Sequence, residues 1–272
     1  MMKSHTNQDI ESLLPMTRRF LIERFRDGSL QTTQDELSVE EPLQVVLNGK
    51  PFATLMRSPG EDVALVEGFL FAEGLVARPE DIVSVAVSAH LTSQEVHVTL
   101  AAHCNPAGAM ARSVYLSSSC GVCGRATIDE LLDRVEPVAT MPVQPDFLIG
   151  LLEPFAAAQR EFGRSGGVHA AALFDGAGNL LEMCEDVGRH NALDKLVGRA
   201  FRRGQLPLAG RVLLMSSRAS FDIVQKAAMA GIPVVATMGA ASSLAAEVAA
   251  ATGICLYAFL RPQSVVRILP LR

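Results

Sequence analysis

The stretch Val212–Leu260, VLLMSSRASFDIVQKAAMAGIPVVATMGAASSLAAEVAAATGICLYAFL, decides the fold. Three short apolar runs, Val212–Ser216, Val234–Met238 and Cys255–Leu260, alternate with two segments of helical length, Ser220–Ala230 and Ser243–Ala251. The runs are apolar throughout, with no polar face to turn toward water. That predicts a βαβ series forming a largely parallel sheet covered on both sides. Gly239, Ser242, Ser243, Glu247 and Gly253 interrupt Val234–Leu260, the most apolar region, so it does not read as a membrane span. Just upstream, Val168–Phe174 and Leu180–Cys184 read as strands around the turn Asp175-Gly176-Ala177-Gly178, followed by a helix over about His190–Arg202.

The N-terminal half has a different rhythm. Leu43–Leu47 and Pro51–Met56 flank Asn48-Gly49, the dipeptide that a type I′ hairpin turn favours because both central residues need positive φ. Ser58-Pro59-Gly60-Glu61 then reads as a capping box opening a helix to about Gly74, with Leu65, Phe69 and Leu70 buried. Strands are expected at Ile82–Ala89 and Glu95–Leu100. The resulting division is a loose tail over 1–35 with one helical turn near Phe20 and Phe25, and a small α+β subdomain over 36–115. A cysteine-bearing loop and helix over 116–140 and an α/β domain over 141–272 complete it.

Composition narrows the function. The 272 residues are 49% hydrophobic and 19% charged, enough to bury a core, so global disorder is excluded. A net charge of −5, no Trp and two Tyr argue against an electrostatic or base-stacking grip on nucleic acid. Twin arginines at Arg18-Arg19 precede Glu23, Arg24, Arg26 and Asp27 instead of an apolar segment, so no export signal is read. Five cysteines do not suggest a disulfide framework, and a cytoplasmic protein is expected.

Four segments could carry chemistry. In Cys120-Gly121-Val122-Cys123-Gly124, two cysteines sit between glycines ahead of Thr127-Ile128-Asp129-Glu130, a second capping box. A helix start and nearby Arg125 both favour a thiolate. The competing reading, half of a zinc site, lacks a second C-x-x-C, with His103, Cys104, Cys184 and Cys255 scattered, so no permanently bound metal is expected. Ser165–His169 is a Gly-rich turn entering a strand, in which Gly167 and His169 are candidates, although a Gly-Gly pair alone is weak evidence against a plain turn and a histidine there is more often a satisfied strand residue than a catalyst. Glu185–Lys195 crowds charge around a helix entry, which fits either a solvated helix start or a site. Ser216–Ser220 and Gly239–Ser243 are small-residue turns that expose backbone N–H groups suited to anions, with Arg218 and Arg261 as phosphate partners.

These segments resemble the FdhD/NarQ family of formate dehydrogenase accessory sulfurtransferases. The similar stretches are Glu41-Pro42-Leu43, Cys120–Gly124, Gly166–Ala171, Glu185–Asn191 and Arg218–Phe221, with Ser217 standing where the family usually has Gly. The resemblance implies a cytidine-deaminase-like three-layer α/β domain beside the smaller subdomain, and a homodimer. It implies that a cysteine desulfurase loads sulfur onto Cys120 as a persulfide, with Cys123 assisting. It further implies transfer to the molybdenum cofactor, a bis-molybdopterin guanine dinucleotide, for formate dehydrogenase. The implied cofactor contact is Phe259, Leu260, Arg261, Pro262, Gln263 and Ser264. Zinc deaminase chemistry is not expected, because Ala170 and Ala171 follow His169 where His-x-Glu is needed and no Pro precedes the C-x-x-C. The alternative function is a cofactor-binding chaperone whose cysteines bind metal or regulate.

Overall fold

A computed structural model describes residues 15–89, 94–104 and 131–269. Cys120 and Cys123, with the second capping box, lie outside them.

Strand alternation builds the centre. The strands β7 (His169–Phe174), β8 (Leu180–Asp186), β9 (Val212–Met215), β10 (Val234–Thr237), β11 (Cys255–Arg261) and β12 (Ser264–Ile268) form one sheet in the order β12-β11-β10-β9-β7-β8. Along β9, Leu213 and Met215 enter one core while Val212 and Leu214 enter another, and β7, β10 and β11 divide their side chains in the same way. This period of two explains why the runs are apolar throughout. Helices α2 (Pro145–Gly150) and α3 (Leu152–Ala158) cover one face through Leu148, Leu151 and Phe155. Helices α5 (Arg189–Arg202), α6 (Phe221–Met229) and α7 (Ser243–Thr252) supply the core of the other face.

The sheet is mixed rather than largely parallel. Only β9, β10 and β11 run parallel; β7 is antiparallel to both neighbours, and β12 is antiparallel to β11. The cause is local. Asp175 Oδ1 accepts from the backbone N–H groups of Ala177 and Asn179 at 2.9 Å each, closing a tight hairpin between β7 and β8. Pro262-Gln263 does the same between β11 and β12, and no crossover fits in so short a connection.

A second sheet, order β4-β3-β6-β5, contains β3 (Glu41–Leu47), β4 (Lys50–Arg57), β5 (Ile82–Ala89) and β6 (Gln94–Leu100). Asn48 (φ 50°) and Gly49 (φ 76°) make the expected turn. Between the two sheets lies α1 (Asp62–Ala72), of which only Val63 is not buried. It crosses α5 in backbone contact: a Cβ on Gly68 would lie 1.9 Å from the carbonyl oxygen of Asp194, and one on Gly198 1.8 Å from that of Ala64.

Two local readings are corrected. Ser58 does not cap α1; the residue before the helix is Glu61, left-handed at φ 60° and without a side-chain cap. Ser58 is buried, its N–H donating to Asp186 Oδ2 (3.1 Å) and its Oγ accepting from Val187 N–H (3.0 Å), so it joins the sheets instead. Residues 17–38, read mostly as a loose tail with a helical turn, form an antiparallel hairpin of β1 (Thr17–Arg26) and β2 (Ser29–Ser38), with Phe20 and Phe25 exposed on β1. Its base is tied to α4 (Arg160–Ser165) by Ser38–Ser165 (2.7 Å, Oγ to Oγ) and Glu36–Arg164 (2.9 Å).

Candidate functional site

Because β7 runs opposite to β8–β11, its N-terminal end meets their C-terminal ends at one edge of the large sheet. His169, Arg189, Arg218 and the segment Phe259–Ser264 all lie there, as does Gly167 just before β7. In a sheet of this kind, ligands collect beyond the carboxyl ends of parallel strands.

Two turns build the edge. After β9, the chain from Ser216 to Ser220 lies against Gly239–Ser242 after β10. Gly239 N–H donates to Ser217 O, Ala219 N–H to Ala240 O and Ser242 N–H to Ala219 O, at 2.9–3.0 Å. Gly239 is required by this stacking, since a Cβ there would lie 2.8 Å from the Arg218 Cα and backbone nitrogen. The turns hand Arg218 to solvent and open α6 and α7, whose N-termini face the same edge. On the far side, a β-bulge between Ala258 and Arg261 places Phe259 at φ 51° and leaves its ring exposed. Phe259 N–H donates to Gly239 O (3.0 Å), tying the bulge to the turn.

Cations predominate here, with Asp222 in the first turn of α6 the nearby carboxylate, beside His190. Among the described residues, Arg189, Arg218 and Arg261 have no carboxylate within ion-pair distance; Arg261 Nη1 instead donates to the Met238 and Leu260 carbonyls. The Arg189 Nε–H is buried without an acceptor, which costs about 1–3 kcal/mol and which an incoming oxyanion would recover. Burial and the Arg189 charge both lower the pKa of His169. His190 goes to about 4, by burial first and Arg189 second, with Asp222 at 3.4 Å opposing. Both rings are therefore neutral at pH 7. Ser216 Oγ accepts from Ala170 N–H (3.0 Å) and lies 3.2 Å from His169 Nδ1, so its own proton can serve that nitrogen. An edge with three guanidinium groups not paired to a carboxylate, two neutral imidazoles and an exposed aromatic ring can hold a polyanionic ligand with a flat portion.

Not every candidate faces that edge. Leu260 is fully buried in the core beneath, and a Cβ on Gly167 would meet Ser38 Oγ at 2.5 Å, so this glycine admits the hairpin base. Pro262, Gln263 and Ser264 are exposed on the β11–β12 turn. The charged run Glu185–Lys195 is largely structural. Asp186, fully buried, binds Lys195 Nζ (2.7 Å) and accepts from Gly188 N–H and Asn191 Nδ2, while Lys195 also reaches Ser58 O (3.1 Å). Asp194 holds Lys226 at 2.7 Å, and Glu185 accepts from Glu161 and Phe162 N–H at 2.9 Å. Only Arg189 and His190 of this run turn toward the edge residues.

The sequence model of the FdhD/NarQ family matches residues 38–267, which takes in both sheets, the turns and the β11–β12 hairpin. The chain belongs to the FdhD/NarQ family. Among curated proteins, the sulfur carrier protein FdhD of Streptomyces coelicolor is 47% identical over 260 residues, covering 92% of each chain. The one from Mycobacterium tuberculosis is 45% identical over 246 residues, covering 86% of this chain and 89% of its own. Among solved structures, a chain of Desulfotalea psychrophila described as a formate dehydrogenase accessory protein superposes with a TM-score of 0.73. It is 22% identical, and the match covers 93% of this chain and 97% of that one. The FdhD/NarQ fold is therefore a mixed α/β arrangement of this kind. Among the described residues no helix is long and apolar enough to cross a membrane.

Proposed function

We propose that this protein is a sulfurtransferase that carries persulfide sulfur on Cys120 to a molybdenum cofactor of the bis-molybdopterin guanine dinucleotide type, for formate dehydrogenase. The observation that carries the reading is the edge where Arg189, Arg218 and Arg261 gather without a carboxylate partner of their own, in a chain whose relatives are named sulfur carrier proteins. Two phosphates bridge each guanosine to its pterin, and the three guanidinium groups suit them. The exposed Phe259 ring offers a flat face to a purine. The order β8-β7-β9-β10-β11, with β7 reversed, supports a cytidine-deaminase-like ancestry for this half.

The sulfur step is a thiol–disulfide type exchange. The Cys120 thiolate attacks the outer sulfur of the donor's persulfide; that sulfur bonds to Cys120 as its bond to the donor breaks, and the donor leaves as a thiolate. The donor is a cysteine desulfurase, and Cys123 assists. Two cysteines of the described residues are poor alternatives: burial pushes up the Cys104 thiol, with the Asp81 charge adding, and burial does the same for Cys184. A cytoplasmic homodimer completes the reading.

Guanosine diphosphate, which carries the cofactor's base and paired phosphates, tests the edge. Each charge-assisted bond contributes about 1.5–3 kcal/mol, so Arg218→Ala and Arg261→Ala should each weaken its binding roughly tenfold or more in calorimetry. Cys120→Ala should bind it unchanged while abolishing formate dehydrogenase activity in cells. Equal binding by the arginine variants would remove the edge from the account, and retained activity in Cys120→Ala would favour a chaperone.

A further inference from the structure

A second cluster lies where β6 ends against the short 3-10 turn Pro79–Asp81 that precedes β5. Ala101 N–H donates to Asp81 O (2.8 Å) and Cys104 N–H to Ala101 O (2.9 Å), a turn that folds His103 and Cys104 back over Asp81. The Asp81 carboxylate is buried and oriented by backbone: Oδ2 accepts from Ala77 N–H (2.7 Å) and Arg78 N–H (3.2 Å). That leaves Oδ1 turned outward, 3.0 Å from His103 Nε2 and 3.3 Å from Arg78 Nε. Cys104 Sγ lies 4.0 Å from the Asp81 carbonyl oxygen. One oxygen, one imidazole nitrogen and one sulfur thus stand within 4.8 Å of one another.

The geometry points to a binding site for a thiophilic divalent cation of the zinc class, held by Asp81 Oδ1, His103 Nε2 and Cys104 Sγ. Ligand atoms around tetrahedral zinc lie about 3.3–3.6 Å apart, given bonds of about 2.0–2.3 Å. Reaching that spacing takes side-chain rotation, for which His103, 60% exposed, has room, while Cys104 is half-buried against the core. Arg78, 68% exposed, is the cation now next to Oδ1 and is free to swing out as the metal enters. A sulfur, nitrogen and oxygen set selects zinc or cobalt over magnesium or calcium, which demand oxygen cages. The backbone bonds to Oδ2 supply the outer support that a ligating carboxylate needs. Water takes the fourth position. Binding sends the Cys104 thiol proton to solvent, so affinity falls as pH falls.

Cobalt(II) reports this directly, because thiolate ligation gives a near-ultraviolet charge-transfer band and tetrahedral geometry gives intense visible bands. The protein used is the full chain carrying Cys120→Ser and Cys123→Ser, which removes the loop thiols. One equivalent of cobalt should develop both bands, zinc should displace it, and each equivalent should release a proton. Adding Cys104→Ser should erase the charge-transfer band, and His103→Ala should weaken binding about tenfold or more. Both positions are at least partly exposed, so unchanged circular dichroism keeps the comparison interpretable. Absence of a charge-transfer band, or one that survives Cys104→Ser, would overturn the site. Neither outcome touches the edge chemistry, which uses other residues.

Discussion

At His190, burial and the neighbouring Arg189 disfavour the imidazolium, and the pKa falls to about 4 against an ordinary value of about 6.5. Between those values the unfolded chain binds a proton that the native protein refuses, so stability is lost as pH falls through that window. His169, lowered for the same two reasons, adds in the same direction. Thermal melts at pH 7 and pH 5 should therefore show a drop in Tm that His190→Gln reduces; an unchanged drop would mean that the ring is already solvated. Asp194 and Lys226 set the opposite kind of problem. Both are buried and joined at 2.7 Å, with Lys226 also 5.9 Å from the Phe69 ring centroid. Asp194→Asn strands the ammonium and should cost about 3–5 kcal/mol in urea unfolding, whereas Asp194→Leu with Lys226→Met should restore most of that. Charge density along Glu185–Lys195 did not reveal this, because composition does not distinguish a buried pair from a solvated one.

Among elements, the α1–α5 crossing is the most exacting. Helix propensity alone favours replacing a mid-helix glycine with alanine by about 0.8–1.0 kcal/mol. Gly198 has the Ala64 carbonyl 1.8 Å from where its Cβ would stand, and backbone cannot rotate aside. Overpacking of about 1–3 kcal/mol or more then wins, so Gly198→Ala should destabilise. Gly163, in α4 with nothing within 4 Å of its Cβ position, should accept alanine with no loss, and equal effects at the two positions would refute the close crossing. This crossing is invisible in sequence, since Gly68 and Gly198 are 130 positions apart. The β1–β2 hairpin is different: Asp27 (φ 51°) and Gly28 (φ 77°) form the same kind of turn as Asn48-Gly49. The signal was present in Asp27-Gly28, but polar, mostly exposed flanking runs such as Ser29–Ser38 hide the alternation that normally marks a strand. Ser58 misleads for a further reason. Its motif is a sound cap locally, yet Asp186 and Val187, some 130 residues on, compete for the same hydrogen bonds and win.

For the whole molecule, β7, β9, β10 and β11 were legible because their apolar runs of four to seven residues are buried on both faces along most of their length and have few other uses, whereas β12, an edge strand with no buried residue, went unread. Strand direction was not legible, because it depends on turns as short as Asp175–Gly178. The edge was legible only as separate turns; reversing β7 is what puts His169 beside Arg189, on the same edge as Arg218 and Phe259. In the proposed function, this edge is the part that receives the polyanionic cofactor, and Cys120 is the residue that carries the sulfur. Persulfide carriage on Cys120 is the central claim, and intact-mass spectrometry of the full-length protein tests it most directly. After exposure to a cysteine desulfurase and cysteine, the protein should gain one sulfur that a thiol reductant removes, and Cys120→Ala should gain none. No gain in the unaltered protein, or the same gain in Cys120→Ala, would contradict it.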